Sequence, residues 1–254
     1  MKKLEGKVAI VTGGSRDIGR AVSLKLASEG AKVVVNYFDN EEDAKTTQGM
    51  IAELGAESII VQGDMTKEAD VKRIVAEAQK AFGQDIHVLI NVVGGIVGRK
   101  KITEQDEAWY NFLMDVNMKS CWLCTKEVVP FMPRGGAIVN FSSLAAKDGG
   151  GPGASMYATA KGAVAVFTRA MAKELGPDGI RVNAVAPGTI ATSFHDRFNT
   201  PENRERMKGI YPLRREGDAE DVADLICFLA CDDSDYITGT NIDINGGIFF
   251  SKAR

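Results

Sequence analysis

Short apolar runs rich in Val and Ile recur along the chain, each followed by a longer stretch in which apolar residues return every three or four positions. The runs are Val8–Val11, Lys32–Val35, Ser58–Val61, His87–Asn91, Ala137–Phe141, Val182–Val185 and Asn241–Ile244. Continuous apolar runs suit strands covered on both faces, and the segments Ile18–Ser28, Glu41–Leu54, Glu68–Phe82, Trp109–Phe131, Met156–Leu175 and Ala219–Leu229 suit helices between them. A strand followed by a helix, repeated, builds a parallel sheet, so the pattern predicts an α/β fold: a doubly wound sheet of about seven strands with helices on both faces. No linker, charge block or repeat divides the chain, and residues 1–254 read as one domain. The pattern lapses from Thr189 to Tyr211, where Phe194, His195, Arg197 and Phe198 mix polar and aromatic character. Either a substrate lid or a plain surface helix pair fits this stretch, and His195 there is a candidate substrate contact.

Composition narrows the function. The 254 residues are 44% hydrophobic and 26% charged, the profile of a globular domain. A net charge of -3 supplies no basic field, so nucleic acid is not expected as a partner. No run approaches the roughly 18 apolar residues that a membrane span needs. Four Cys are too few for a disulfide framework, and the start Met1-Lys2-Lys3-Leu4 carries no apolar signal segment; a cytoplasmic setting is expected. Cys121 and Cys124, three apart in an apolar helical segment with no His cluster, read as buried hydrophobes, and no metal is expected. His87 reads as a strand residue with a satisfied ring, and Arg99-Lys100-Lys101 as a solvated charge run.

Two constellations carry chemistry. After the first strand, Thr12-Gly13-Gly14-Ser15-Arg16-Asp17-Ile18-Gly19-Arg20 opens the first helix. Free backbone N-H groups and the positive end of the helix dipole converge there, making an anion site. Gly13 permits the tight turn, and Gly19 a close approach of helix to sheet. Second, Tyr157 and Lys161 stand four apart, one turn along the same helix face. Alone, that pair is equally a solvent-facing Tyr and Lys. Upstream stand Ser142 and Ser143 at the end of the fifth run, 14 positions before Tyr157 counted from Ser143, with Gly149-Gly150-Gly151-Pro152-Gly153 between.

In this order the motifs resemble those of the short-chain dehydrogenase/reductase family, over about residues 6 to 247. The resemblance implies a single-domain, Rossmann-like fold and hydride transfer between a nicotinamide cofactor and a carbonyl or secondary alcohol. It implies Tyr157 as acid and base, Lys161 together with the positive nicotinamide of the oxidised cofactor lowering the phenol pKa by about two to three units, Ser143 polarising the carbonyl with Ser142 as substitute, and Asn117 holding a water that connects Lys161 to solvent. Gly13, Ser15, Arg16, Asp17 and Ile18 would hold the cofactor at the Gly-rich turn, where Asp17 departs from the family's glycine. Asn36 stands where NAD-specific sites keep an acid; with Arg16 it tolerates or pairs with a 2'-phosphate, so NADP(H) is preferred and NAD(H) allowed, although Asp39 opposes that preference. Asp64 and Met65 follow the third strand, Asp64 toward the adenine edge or as a helix cap. Asn91 and Gly94 remain of the family's N-N-A-G, with Val92 and Val93 between, and are given backbone and structural roles. Pro187, Gly188, Ile190 and Thr192 match P-G-x-x-x-T beside the nicotinamide. Within the family the chain is most similar to the 3-oxoacyl-acyl-carrier-protein reductases and the nearby sugar and polyol dehydrogenases; the four-residue Tyr to Lys spacing argues against enoyl reductases. The substrate is then a small-molecule or acyl-carrier-bound carbonyl, with a keto-sugar, sugar acid or uronate-derived keto acid as the alternative and a non-catalytic nucleotide-binding protein as the second. A homo-oligomer, tetramer or dimer, is expected.

Overall fold

The computed structural model describes residues 2–192 and 208–249. Strands β1 (Val8–Thr12), β2 (Lys32–Tyr37), β3 (Ser58–Gln62), β4 (Val88–Asn91), β5 (Ala137–Phe141), β6 (Arg181–Pro187) and β7 (Asn241–Ile244) fall on the seven apolar runs. They form one sheet in the order β3-β2-β1-β4-β5-β6-β7, and every pair is parallel. The helices are α1 (Asp17–Ser28), α2 (Glu41–Glu53), α3 (Glu68–Phe82), α4 (Glu107–Met114), α5 (Ser120–Val128), the short α6 (Ala145–Asp148), α7 (Ser155–Leu175) and α8 (Ala219–Ala230). Asn40 and Asp106 cap α2 and α4 by accepting the N-H groups of Asp43 and Trp109.

Two cores result from the period of two along each strand. Ala9, Val11, Val33, Val35, Ile90 and Val139 face Val22, Leu26 and Ile226 of α1 and α8, whereas Ile10, Val34, Leu89 and Ile138 face Ile74, Leu123 and Leu175 of α3, α5 and α7. Strand order reverses between β1 and β4, and loops that leave the C-terminal ends of neighbouring strands there diverge and open a crevice. The switch point thus places the Gly-rich turn opposite the Val92–Ile96 segment.

The expected helix Trp109–Phe131 is interrupted. A π turn at Asp115–Lys119 separates α4 from α5, and a 3-10 turn at Val129–Phe131 contains Pro130. Asn117, buried in the π turn, donates from Nδ2 to the Leu113 carbonyl at 3.0 Å, and a side chain that takes a backbone acceptor inside a helix widens that turn. Hydrophobic spacing does not register this, because a π turn adds one residue without changing which face is apolar.

Arg181, 7% exposed at the start of β6, donates to the Leu229 and Cys231 carbonyls and the Ser234 hydroxyl at 2.7, 3.0 and 2.7 Å. It thereby neutralises the negative C-terminal end of α8. Replacing Arg181 by Leu strands those buried carbonyls and is expected to cost about 3 kcal/mol. For a chain of this size the melting temperature should drop by about 6 to 12 °C. Thermal unfolding followed by circular dichroism checks this, and an unchanged midpoint contradicts it.

Candidate active site

Residues from β1, β4, β5, α7 and the segment after β6 meet in a cleft of about 380 Å³ at the C-terminal edge of the sheet. One end is the turn before α1. Gly13 has φ +60, and its N-H donates to Asn36 Oδ1 at 2.9 Å. A Cβ on Gly19 would lie 2.0 Å from the Gly13 carbonyl oxygen, so only glycine lets α1 start this close to the turn. The first N-H groups of α1 have no intrahelical acceptor and lie at the cleft with Ser15, Arg16, Asp17 and Ile18. This cradle fits a diphosphate, and Arg16 lines its rim.

At the other end stand Ser142, Ser143, Tyr157 and Lys161. Tyr157 and Lys161 lie one turn apart on α7, with Lys161 Nζ 5.9 Å from the phenol ring centroid. The Lys161 ammonium donates to the Phe141 carbonyl at 2.8 Å, tying α7 to the end of β5. The Ser143 hydroxyl acts on the Tyr157 phenol and favours its ionised form, and Ser143 Oγ accepts the Ala145 N-H at 3.1 Å. Ser142 is 2% exposed and turned inward, donating to the Lys161 carbonyl at 3.0 Å. Of the two serines, then, Ser143 presents its hydroxyl beside the phenol. Gly94, at φ +147, fits between Asn117 and Lys161: a Cβ there would stand 2.7 Å from Asn117 Oδ1 and 2.8 Å from Lys161 Nζ. Pro187, Gly188, Ile190 and Thr192 line the adjoining wall, where Ile190 bridges to Gly217.

Loss of water pushes the Tyr157 phenol above its ordinary pKa, and the Ser143 hydroxyl only partly opposes this. Burial likewise drives the Lys161 ammonium down, to about 8. A raised phenol keeps its proton at neutral pH, which is the form an acid catalyst needs.

Several predicted site residues serve elsewhere. Asn36 is 1% exposed and points under the turn, donating to the carbonyls of Tyr37, Val61 and Gly63, so it cannot meet a 2'-phosphate. Phe38, Asp39 and Asn40 line that part of the cleft instead. Asp64 accepts the Thr66 N-H and hydroxyl at 2.9 and 2.7 Å, which orders the approach to α3, and Met65 is buried in the core; neither lines the cleft. Asn91 is a core residue donating to Asn140 Oδ1 at 2.9 Å and Thr125 Oγ1 at 3.4 Å. Asn117 is committed to Gly95, accepting its N-H and donating to its carbonyl at 2.9 and 3.0 Å, so the contact seen is a clamp on the Gly94–Gly95 segment. The exposed Phe38, the Gly95 and Ile96 lining and the Phe141 carbonyl went unpredicted. A signal existed for Asn36, since a lone amide in an apolar strand must bond backbone. None existed for a carbonyl partner.

All four cysteines are buried free thiols, and burial pushes Cys121 up to about 12. His87 Nδ1 accepts the Val8 N-H at 3.1 Å. Lys100 lies 4.7 Å over Trp109, and Arg99 donates to the Pro152 carbonyl at 3.0 Å. Among the described residues, no group of three metal-ligating side chains occurs and no helix is long and apolar enough to cross a membrane. Most of the expected lid, His195 included, lies outside the described residues; of its ends, Ile190 and Tyr211 are buried.

Residues 13–249 match a family model described as Enoyl-(Acyl carrier protein) reductase. The 3-oxoacyl-[acyl-carrier-protein] reductase FabG of Staphylococcus epidermidis is 36% identical over 245 residues, 96% of this chain and 99% of that protein. A short-chain dehydrogenase/reductase from Serratia marcescens superimposes with a TM-score of 0.92 at 32% identity, covering 97% of this chain and 99% of that one. A short chain dehydrogenase from Burkholderia cenocepacia, solved in complex with NADP, gives 0.91 at 30% identity over 97% and 99%.

Proposed function

The chain belongs to the short-chain dehydrogenase/reductase family, and from that premise we propose that it is an NADP(H)-preferring reductase of a ketone carbonyl, with a 3-oxoacyl thioester as substrate. One observation carries the reading: Tyr157 shares a cleft with Ser143 and the anion-binding turn and lies one helical turn from the Lys161 ammonium. The bound nicotinamide dinucleotide supplies the hydride. Tyr157 donates its proton to the carbonyl oxygen, so that an alcohol and not an alkoxide leaves. Ser143 donates a hydrogen bond to that same oxygen and draws charge from the carbonyl carbon. Lys161, with a pKa of about 8, then returns a proton to the phenolate and recovers its own from solvent. Gly94 and the Asn117 clamp keep the space above Lys161 open.

The name of the staphylococcal relative supports an acyl substrate. The four-residue spacing of Tyr157 and Lys161 favours a carbonyl over an enoyl substrate. Exposed Tyr110, Phe112 and Trp122 on α4 and α5, with Val166 on α7, support a homo-oligomer, a dimer or tetramer.

Steady-state assays with NADPH and NADH against a 3-oxoacyl thioester, a keto-sugar and a small ketone test the reading. Thioester-dependent NADPH oxidation is expected, and its absence beside turnover of a keto-sugar overturns the thioester assignment. Arg16 lines the cleft at its phosphate end, and charge-assisted pairs to phosphate are worth about 1.5 to 3 kcal/mol. Replacing Arg16 by Ala should therefore lower the NADPH to NADH ratio of kcat/KM about 10- to 100-fold. An unaltered ratio removes Arg16 as the selector.

A further inference from the structure

The segment that leaves β4 turns sharply after Ile96, which lines the cleft. Val97 sits at φ +46, in the left-handed region that a β-branched residue occupies only where its surroundings fix it, and the Gly98 N-H donates back to the Ile96 carbonyl. Beyond this turn the chain meets the stretch that separates Ser143 from Tyr157. Arg99 Nη1 donates to the Pro152 carbonyl at 3.0 Å, and the Lys100 N-H donates to the Gly153 carbonyl at 3.2 Å. Gln105 Nε2 donates to the Lys100 carbonyl at 2.8 Å and to the hydroxyl oxygen of Ser155, the first residue of α7, at 2.9 Å. The fit is close: a Cβ on Gly153 would stand 3.0 Å from Arg99 Cβ, and one on Gly151 3.2 Å from Arg99 Nη1. On its other side the same segment is anchored to α4, with Lys100 4.7 Å over Trp109 and room for no Cβ at Gly98 beyond 3.2 Å from that ring.

The stretch being gripped is Gly149-Gly150-Gly151-Pro152-Gly153, in which Gly149, Gly150 and Gly153 have positive φ and only Pro152 has a side chain. Glycine loses more conformational freedom on ordering than any other residue, so order in this loop has to be imposed from outside. We infer that Arg99 is a positioning residue for the carbonyl substrate: by holding Pro152 it keeps the Gly149–Gly153 loop in one arrangement, and with it the two ends that carry Ser143 and Tyr157. The inference rests on the reductase reading above. Both hydroxyls must reach one carbonyl oxygen, so freedom in the loop between them is freedom in the pocket that the substrate enters. With the latch in place the pocket is arranged before the substrate arrives; without it, substrate binding has to order the loop, and KM rises while kcat changes little. The cofactor's phosphate end, at Gly13, Ser15, Arg16 and Ile18, is built on β1 and α1 and shares no residue with the latch.

The test compares wild type, R99A and R99K by hydrogen-deuterium exchange of the loop, steady-state kinetics with a 3-oxoacyl thioester and NADPH, fluorescence titration with NADPH, and thermal unfolding. R99A should exchange faster across residues 149–155. Its KM for the carbonyl substrate should rise about 3- to 10-fold, the range set by loss of one exposed hydrogen bond, with kcat within about threefold of wild type. NADPH affinity should stay within about twofold and the melting temperature within about 2 °C. R99K keeps one donor on a stem of similar length and should recover part of the KM. Unaltered exchange in R99A overturns the latch, and faster exchange with an unaltered KM overturns its role toward substrate. A fall in melting temperature and in NADPH affinity alongside KM, with no recovery in R99K, makes Arg99 a merely structural residue and overturns the inference as well. If wild type itself turns over no carbonyl compound, the reductase reading fails and the positioning role with it, while the exchange data still decide whether Arg99 orders the loop.

Discussion

Replacing Tyr157 by Phe should lower turnover about a thousandfold or more while leaving the fold and cofactor binding nearly intact. The change deletes one oxygen and leaves the ring on α7 in place. No other described group in the cleft can replace the lost acid. Ser143 is a far weaker acid than a phenol. Lys161 donates to the Phe141 carbonyl beneath the loop. Hydride delivery would then generate a bare alkoxide, the step that the proton transfer avoids. Fluorescence titration with NADPH should give a dissociation constant within about threefold of wild type, since no phosphate-end residue is touched. Residual activity above a tenth of wild type would remove Tyr157 from its role. Parallel loss of cofactor binding would make it a structural residue. Turnover abolished by this substitution also disposes of the non-catalytic nucleotide-binding alternative.

The raised phenol pKa sets the direction of the pH dependence. Tyr157 holds its proton to higher pH than an ordinary phenol, so carbonyl reduction should be sustained through neutral and mildly alkaline pH. Alcohol oxidation, which needs the phenolate as base, should rise as pH increases.

Much of this was legible in the chain because its local signals agree with its global fold. Val8–Thr12 and Ala137–Phe141 are uniformly apolar or nearly so, and a strand buried on both faces has no other reading at that length. Gly19 followed the first strand at the spacing that a phosphate turn demands, and the space found around it admits no Cβ. The failures share a physical cause, for each depends on where a polar side chain sends its hydrogen bonds. Asn36 lies at the end of β2, as expected, but its amide satisfies backbone groups of the turn and of β3. Asn117 is in the expected segment, yet its amide takes the Leu113 carbonyl and turns a regular helix into a π turn. Spacing places a residue on an element; it does not state which of several acceptors within reach wins. Nor does spacing show that Tyr157 and Lys161 are buried together, where desolvation moves each toward its neutral form.

Lys161→Met should abolish turnover and, at neutral pH, stabilise the protein. The ammonium is 3% exposed, and burial lowers its pKa from 10.5 to about 8. Below pH 8 both folded and unfolded chains carry the proton, and the folded state holds a desolvated charge. Between about 8 and 10.5 the unfolded chain still binds the proton while the folded one has released it, so stability rises with pH across that window. The full difference corresponds to about 3 kcal/mol, present as a penalty at pH 7 and absent above 10.5. A methionine of similar length removes the charge and gives up the hydrogen bond to the Phe141 carbonyl, worth about 1 kcal/mol net. The variant is therefore expected to gain about 1 to 2 kcal/mol at pH 7, or about 2 to 8 °C in melting temperature, with the gain vanishing toward pH 10. Turnover should fall at least a thousandfold, because the phenolate loses its proton source and the cleft its cation. Thermal unfolding of wild type and variant at pH 7 and pH 10, with activity measured on the same preparations, decides the matter. A variant that melts lower than wild type at pH 7 would mean that Lys161 contributes net stability through its carbonyl bond. An inactive, more stable variant would mean that the enzyme keeps a buried charge at the expense of its own stability because catalysis requires it.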